Sequence, residues 1–389
     1  MKKRIMTCLL TGAIAFSALG IHVYAEETTD ASSELSESIY SFEVKLDGEL
    51  YQFPMTYADF TAMGWTYKND ETAEIQPNSY SSAETFKKGS LEIYTYIYNL
   101  GINTVPVSES MIGGISMDQW QFDDAPETTL ELPGGIHYGT STIDDITAAY
   151  GTATDTYDGD VYTKLTYEYD SYQDVELYVS KETGVLNEVD IRNLIADKES
   201  NAAAASEVSD EPTEEVLSYQ TPEELGDDLQ SFVVEYAGDL YKLPAPVSVF
   251  EKNGWTIKEE DSDSVVSGKS FGWVYMMKDN QEYHAIARNY TANATTIRNC
   301  FVTSVKGNVN GPNLPITVQK GITVGMSKAD LTSALEGSDY ECDGESSDYF
   351  EYYTIEGKDS SLNKVEILLK KDEGKVTGIE VSNEPKKLD

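Results

Sequence analysis

The chain alternates in short bursts. Phe42, Val44 and Leu46 take every second position with charged residues between them, as a half-buried strand requires. Asp47-Gly48 supplies a turn, and Leu50-Tyr51-Gln52-Phe53 returns as the partner strand, closed by Pro54. The spacing then changes: Tyr57, Phe60 and Met63 share one face of a short helix that stops at Gly64, and Trp65 opens the next strand. Alternation returns at residues 91–98 (LEIYTYIY), at Leu165, Tyr167 and Tyr169, at Val175, Leu177 and Val179, and at Val189 and Ile191.

Most of this pattern occurs twice. Residues 41–66 recur at 231–256 at an offset of 190 with no gap, and 11 of the 26 aligned positions are identical. Such agreement marks an internal duplication. The later part repeats at an offset of 186, where Gly135-Ile136 to Asp144 aligns with Gly321-Ile322 to Asp330. Each run continues as a helix, stopping at Gly151 and Gly337. Ser141 and Ser327 stand where an N-cap belongs, each with an Asp three residues on. Strands follow in the second copy at Val365, Ile367 and Leu369, then at Ile379 and Val381, with KETG and KDEG as hairpin turns before Gly184 and Gly374.

The run G-I-x-x-G-x-S-x-x-D, a helix ending in Gly, a Tyr-bearing strand and two alternating strands resembles the α+β module of β-lactamase-inhibitor-protein-like domains. It is similar too to the small lipoprotein of the outer-membrane barrel-assembly machinery. The resemblance covers about 135–193 and 321–383. It implies a binding or scaffolding role without catalysis, and it carries over no interface residue.

These signals divide the chain into a signal peptide at 1–25, a disordered acidic tether at 26–38, a first repeat domain at 39–195, an acidic linker at 196–227 and a second repeat domain at 228–384. The expected class is α+β: tandem duplicated domains, each with short helices packed on antiparallel sheets. Within the linker, Thr221-Pro222-Glu223-Glu224 reads as a short helix start. The leader has Lys2, Lys3 and Arg4 ahead of an apolar run and then Val23-Tyr24-Ala25, so export through a cleaved signal is expected, with a retained anchor as the alternative.

Charge and cysteine usage narrow the function. The formal charge is −40, and it becomes −43 once a leader with three positive and no negative residues is gone. So acidic a chain repels phosphate backbones, which excludes a nucleic-acid partner. Only Cys300 and Cys342 follow the leader, and in an oxidising compartment the simplest expectation is that they pair.

Catalytic signals are thin. Ser141 and Ser327 begin like a nucleophile elbow but lack its final glycine, and both are expected to cap helices. His137 and His284 stand alone, one per domain, so no zinc site is expected. Asp123-Asp124, Asp144-Asp145 and Asp158/Asp160 offer carboxylate pairs, and Asp155, Asp158 and Asp160 offer oxygen ligands for calcium, yet 68 acidic residues make such neighbours common. No metal or cofactor is expected. Tyrosine is the unusual resource, with 27 residues. Tyr94, Tyr96 and Tyr98 fall on one face of their strand and form a candidate binding face. Trp65 and Trp255 recur at a helix-to-strand junction and read as core anchors. The expected function is an exported, non-enzymatic interaction protein of the cell surface or extracellular space. Its expected partner is a surface or secreted protein, or alternatively a cell-wall glycan met by exposed tyrosines, without membrane insertion; a carboxylate-pair hydrolase is the remaining reading.

Overall fold

The computed structural model describes residues 34–308, 314–358 and 360–388, so the signal peptide and residues 26–33 of the tether lie outside the described residues. The end of the tether is docked: Ser36 donates its backbone N–H to Glu43, and the Ser36 carbonyl accepts from Gly134. The fold is α+β, with short helices against antiparallel sheets.

The first hairpin pairs Glu43–Leu46 with Glu49–Gln52, with Val44 opposite Tyr51. Asp47 (φ 52°) and Gly48 (φ 80°) are both left-handed, which a two-residue hairpin turn needs and Asp-Gly tolerates. In the second half Val233–Tyr236 pairs with Asp239–Lys242, with Val234 opposite Tyr241, and Ala237 and Gly238 turn with φ 52° and 88°. Both hairpins lead into a cis peptide bond, at Phe53-Pro54 and Leu243-Pro244. Each is then held by an Asn from far along the chain: Asn193 Nδ2 donates to the Phe53 carbonyl (2.7 Å) and Asn383 Nδ2 to that of Leu243 (2.6 Å).

The helices Tyr57–Ala62 and Val247–Lys252 follow, each bringing a Phe onto a Trp. Phe60 stacks on Trp65 at 5.3 Å, and Phe250 meets Trp255 edge-on at 6.0 Å. Both indoles are 3 % exposed. Above them lie Lys88 and Lys278, each ammonium 5.9 Å from its Trp ring centre and each ion-paired to the neighbouring hairpin, at Glu49 and Asp239.

The first half then builds one nine-stranded antiparallel sheet. Eight of its strands run in the order Asp155–Asp158, Tyr162–Asp170, Gln173–Ser180, Leu186–Asn193, Met111–Met117, Leu91–Asn99, Ser79–Lys88 and Thr66–Tyr67, while Met55–Thr56 pairs beside Met111–Met117. In the second half the corresponding succession is split into two five-stranded sheets, because the strand matching Met111–Met117 is divided into Phe301–Val302 and Ser304–Asn308. The first sheet is tightly joined at Gly114, where a Cβ would come 1.8 Å from the Ile191 carbonyl oxygen. Thr303 and Ser304 occupy the positions 190 residues on from Gly113 and Gly114; Thr303 donates its N–H to the Ile286 carbonyl, while Ser304 begins the pairing with Lys375–Ser382, opposite Ser382.

Each half buries its own apolar cluster, one drawn from residues 39–191 and the other from residues 229–381. Between them residues 196–227 are more ordered than their composition suggests. Helices form at Lys198–Ser206 and Glu214–Ser218, capped by Asp197 and Thr213. The helix expected from Thr221 does not form; Thr213, followed by Glu214 and Glu215 in the first turn, wins the cap instead.

The halves touch through matching loops. Asn99 Nδ2 donates to the carbonyls of Ile75 and Asn103, and Asn289 Nδ2 to those of Val266, Ser267 and Asn293. The loops so folded bond each other: Thr104 donates to the Ala292 carbonyl (2.8 Å), Gly268 to that of Ile102 (2.9 Å) and Ala294 to Asn103 Oδ1 (2.7 Å).

Candidate functional site

Strand register assembles a polar surface on the outward face of the nine-stranded sheet. Tyr94 pairs with Ser116, Ser116 with Asp190, Asp190 with Glu176 and Glu176 with Thr166, so one row crosses five strands. The adjacent row pairs Glu188 with Tyr178 and Tyr178 with Lys164. Opposite pairs share a face, so alternate residues such as Leu165, Leu177, Val189 and Met117 point inward, and all four are buried.

The three tyrosines on residues 91–98 meet different fates. Tyr94 stands open at 40 % exposure. Tyr96 is half-buried, its hydroxyl 2.9 Å from both Asp190 carboxylate oxygens. Tyr98 is 2 % exposed and donates to the Ile195 carbonyl (3.1 Å). A bulge at Tyr96/Ile97, opposite Gly113 and Gly114, shifts the register, and the chain leaving the last strand covers Tyr98. In its place the aromatic surface extends sideways: Tyr80 lies 6.5 Å from Tyr96 and 5.8 Å from Tyr172, and the Arg192 guanidinium sits 5.7 Å from the Tyr172 ring.

The carboxylates on this face differ in how they are compensated. Burial pushes Asp190 up to about 6, against the hydroxyl donors Tyr96 and Ser116 that favour its ionised form. Burial pushes Glu188 up to about 7, reinforced by the charges of Asp118, Asp190 and Glu176. Glu176 is half-buried, which pushes it up, but Lys164 (2.7 Å) and Tyr178 (2.8 Å) donate to it and hold it below the usual value. Arg192 engages Asp174 through two of its nitrogens.

The second half carries a surface that the sequence reading missed. Phe271, Trp273 and Tyr275 line the outward face of Phe271–Lys278, opposite Arg288, Ile286 and His284. Phe271 is 57 % and Trp273 48 % exposed, and the Tyr275 and His284 rings are 5.2 Å apart. The signal was present as Phe-Gly-Trp-Val-Tyr, an aromatic at every second position. The other five-stranded sheet of this half pairs charges within the chain. Lys306, 190 residues on from Ser116, meets Glu380, 190 residues on from Asp190, at 3.0 Å, and Lys364 meets Glu366 at 2.8 Å.

The other sequence candidates are dispersed. Ser327 caps its helix, accepting from the Asp330 N–H. Ser141 does not: its helix starts one residue later, capped by Thr142 with Asp145 closing the box, while the Ser141 hydroxyl accepts from the His137 backbone N–H (2.9 Å). The physical reason is that Thr142 directly follows Ser141 and has Asp145 three residues on to close a box, whereas Ser327 is followed by Lys328, which cannot cap. The expected disulfide is absent. Cys300 is wholly buried after the turn Ile297–Asn299, whereas Cys342 is exposed on the edge strand Glu341–Asp343, in a different sheet. Burial pushes the Cys300 thiol far up. His137 and His284 are both exposed, in separate halves. Asp158 is taken by Lys181 and Thr163, and Asp145 by Thr142. Among the described residues no group of three or more His, Cys, Asp or Glu is placed to hold a metal ion, and no helix is long and apolar enough to cross a membrane.

The chain matches no protein-family model, no curated protein and no solved structure.

Proposed function

We propose that this chain is an exported binding protein whose two α+β halves descend from one duplicated unit and engage a partner protein at the cell surface through their outward sheet faces. The observation that carries the reading is the aromatic surface left open on the principal sheets of both halves: Tyr80, Tyr94 and Tyr172 in the first, Phe271 and Trp273 in the second. Large rings exposed on a rigid sheet provide contact area at small entropic cost, which is what an interface needs. Their neighbours also favour binding over chemistry. The carboxylates with raised affinity for protons lie on an open sheet face, crossed by the strands that carry Tyr178, Ser116 and Tyr94.

A second reading, a cell-wall glycan as ligand, is favoured by Trp273 beside Phe271, since a flat indole on an open strand suits a sugar ring. Photo-crosslinking in the producing cells tests both. Benzoylphenylalanine replacing Tyr94 or Trp273 is expected to capture a protein, while the same residue at exposed Tyr349 captures none. Capture at Tyr349 equal to that at the two sheet positions overturns the proposal, and capture of glycan alone at Trp273 selects the second reading.

A further inference from the structure

We infer that the outward face of the first sheet docks an extended, lysine- and arginine-bearing protein segment, its cations received by Glu188 and Asp190 between the Tyr94 and Tyr178 rings. This rests on the reading above and names the chemistry of its partner.

Around Glu188 and Asp190 on this face stand the carboxylates Asp118, Asp174 and Glu176 and the cations Lys164 and Arg192, with Glu168 and Asp155 farther out, opposite Asp174 and Thr166. Both cations are already engaged, Lys164 by Glu176 and Arg192 by Asp174. Asp118 caps the helix Gln119–Asp124. That leaves Glu188 and Asp190. Asp190 accepts from the Tyr96 and Ser116 hydroxyls, and among the described residues no group donates a hydrogen bond to the half-buried Glu188 carboxylate. Lys164 and Arg192 reach this pair only through their charge, each being bonded to another carboxylate, and an incoming ammonium or guanidinium would bond the pair directly.

The other half of the chain supplies an independent indication of what is missing. At the position matching Ser116 it has Lys306, which ion-pairs Glu380 at the position matching Asp190. Where the second sheet carries its own cation, the first has a serine and leaves the charge to be met from outside.

Geometry selects an extended segment over a small amine. Glu188 and Asp190 are two apart on one strand, about 7 Å between equivalent atoms, which is the repeat of alternate side chains on an extended peptide. Tyr178 stands opposite Glu188 on the neighbouring strand, and Tyr94 lies in the row of Asp190 one strand further on, beyond Ser116, so aromatic rings bound the pair on either side. The surface is an open sheet, so affinity has to come from several contacts along a chain.

Titration calorimetry at neutral pH and physiological salt tests this with an eight-residue peptide of alternating lysine and serine, and its glutamate-serine counterpart as control. Wild type is expected to bind the lysine peptide alone. Glu188→Gln/Asp190→Asn is expected to weaken it about tenfold or more, and Glu223→Gln/Glu224→Gln, which neutralises two carboxylates in the exposed linker, less than about twofold. Ser116→Lys, which installs the cation of the second half, is expected to compete with the peptide and weaken binding about as much as the double variant. Thermal melts establish that each variant is folded. Equal weakening by both double variants means diffuse attraction to an acidic chain and overturns the inference, as does a wild type that ignores the peptide. Should crosslinks form at position 94 while the peptide fails to bind, the face is an interface but its partner is not basic.

Discussion

Tyr96 reaches across an entire strand to meet Asp190. Its hydroxyl lies 2.9 Å from both carboxylate oxygens, although Met111–Met117 runs between the strands that carry the two residues. The reach depends on Gly114, which stands opposite Tyr96 and presents no side chain to block it.

This pair, with Glu188 beside it, makes stability depend on pH. Asp190 rises from 3.8 to about 6 and Glu188 from 4.5 to about 7, mainly through burial, so between roughly pH 4 and 7 the folded chain binds more protons than the unfolded one. Stability contributed by these groups therefore falls as pH rises through that window. Each contributes about 1–2 kcal/mol after allowance for partial exposure. Urea titrations at pH 5 and 7.5 are expected to show a smaller difference in Glu188→Gln/Asp190→Asn than in wild type; an undiminished difference refutes the assignment.

Much of the scaffold was legible because its determinants are local. Alternation at Phe42, Val44 and Leu46, the Asp47-Gly48 turn and the cap at Ser327 each depend on neighbours within a few positions. The site was not, because it is made by register. Tyr96 and Asp190 are 94 positions apart, and the bulge that leaves Tyr94 open but buries Tyr98 arises from the Gly113-Gly114 contact with another strand. The one-residue slip between Ser141 and Thr142 shows the same limit at short range, since two hydroxyl residues in succession offer two caps and packing of the turn selects one.

Trp65 and Trp255 anchor the two cores from equivalent positions, both 3 % exposed beneath a lysine. Trp65→Ala and Trp255→Ala are each expected to lose about 3–5 kcal/mol in chemical denaturation, since each empties an indole-sized site. Lys88→Ala and Lys278→Ala, which remove partly exposed cations, are expected to cost less than about 1 kcal/mol.

Asn99 and Asn289 each tie down a loop that contacts the other half of the chain. Replacement of Asn289 by Ala leaves three carbonyls without their donor, and a loss of about 2–3 kcal/mol is expected. Asn289→Asp is expected to be at least as damaging, because a carboxylate turns acceptors toward those same carbonyls. Faster hydrogen exchange at Thr104 and Gly268 in these variants would register the loosening of the contact between halves.

The two cysteines of a chain beginning at Glu26 are expected to react separately. Cys342 is exposed and should be labelled rapidly by a thiol reagent, whereas buried Cys300, its thiol shifted far up, should react only on unfolding. One thiol per native chain and two per denatured chain is the predicted count. A count of none in denaturant without reductant would restore the bridge.

The outward face of the first sheet is either a docking surface or solvated aromatic cover. Tyr80→Ser/Tyr94→Ser/Tyr172→Ser removes its open rings without touching the buried cluster. Retention of labelled protein on the surface of producing cells, compared between this variant and wild type at matched melting temperature, is the most direct measurement. A fall of about tenfold or more is predicted; retention equal to wild type would contradict a binding role for this face.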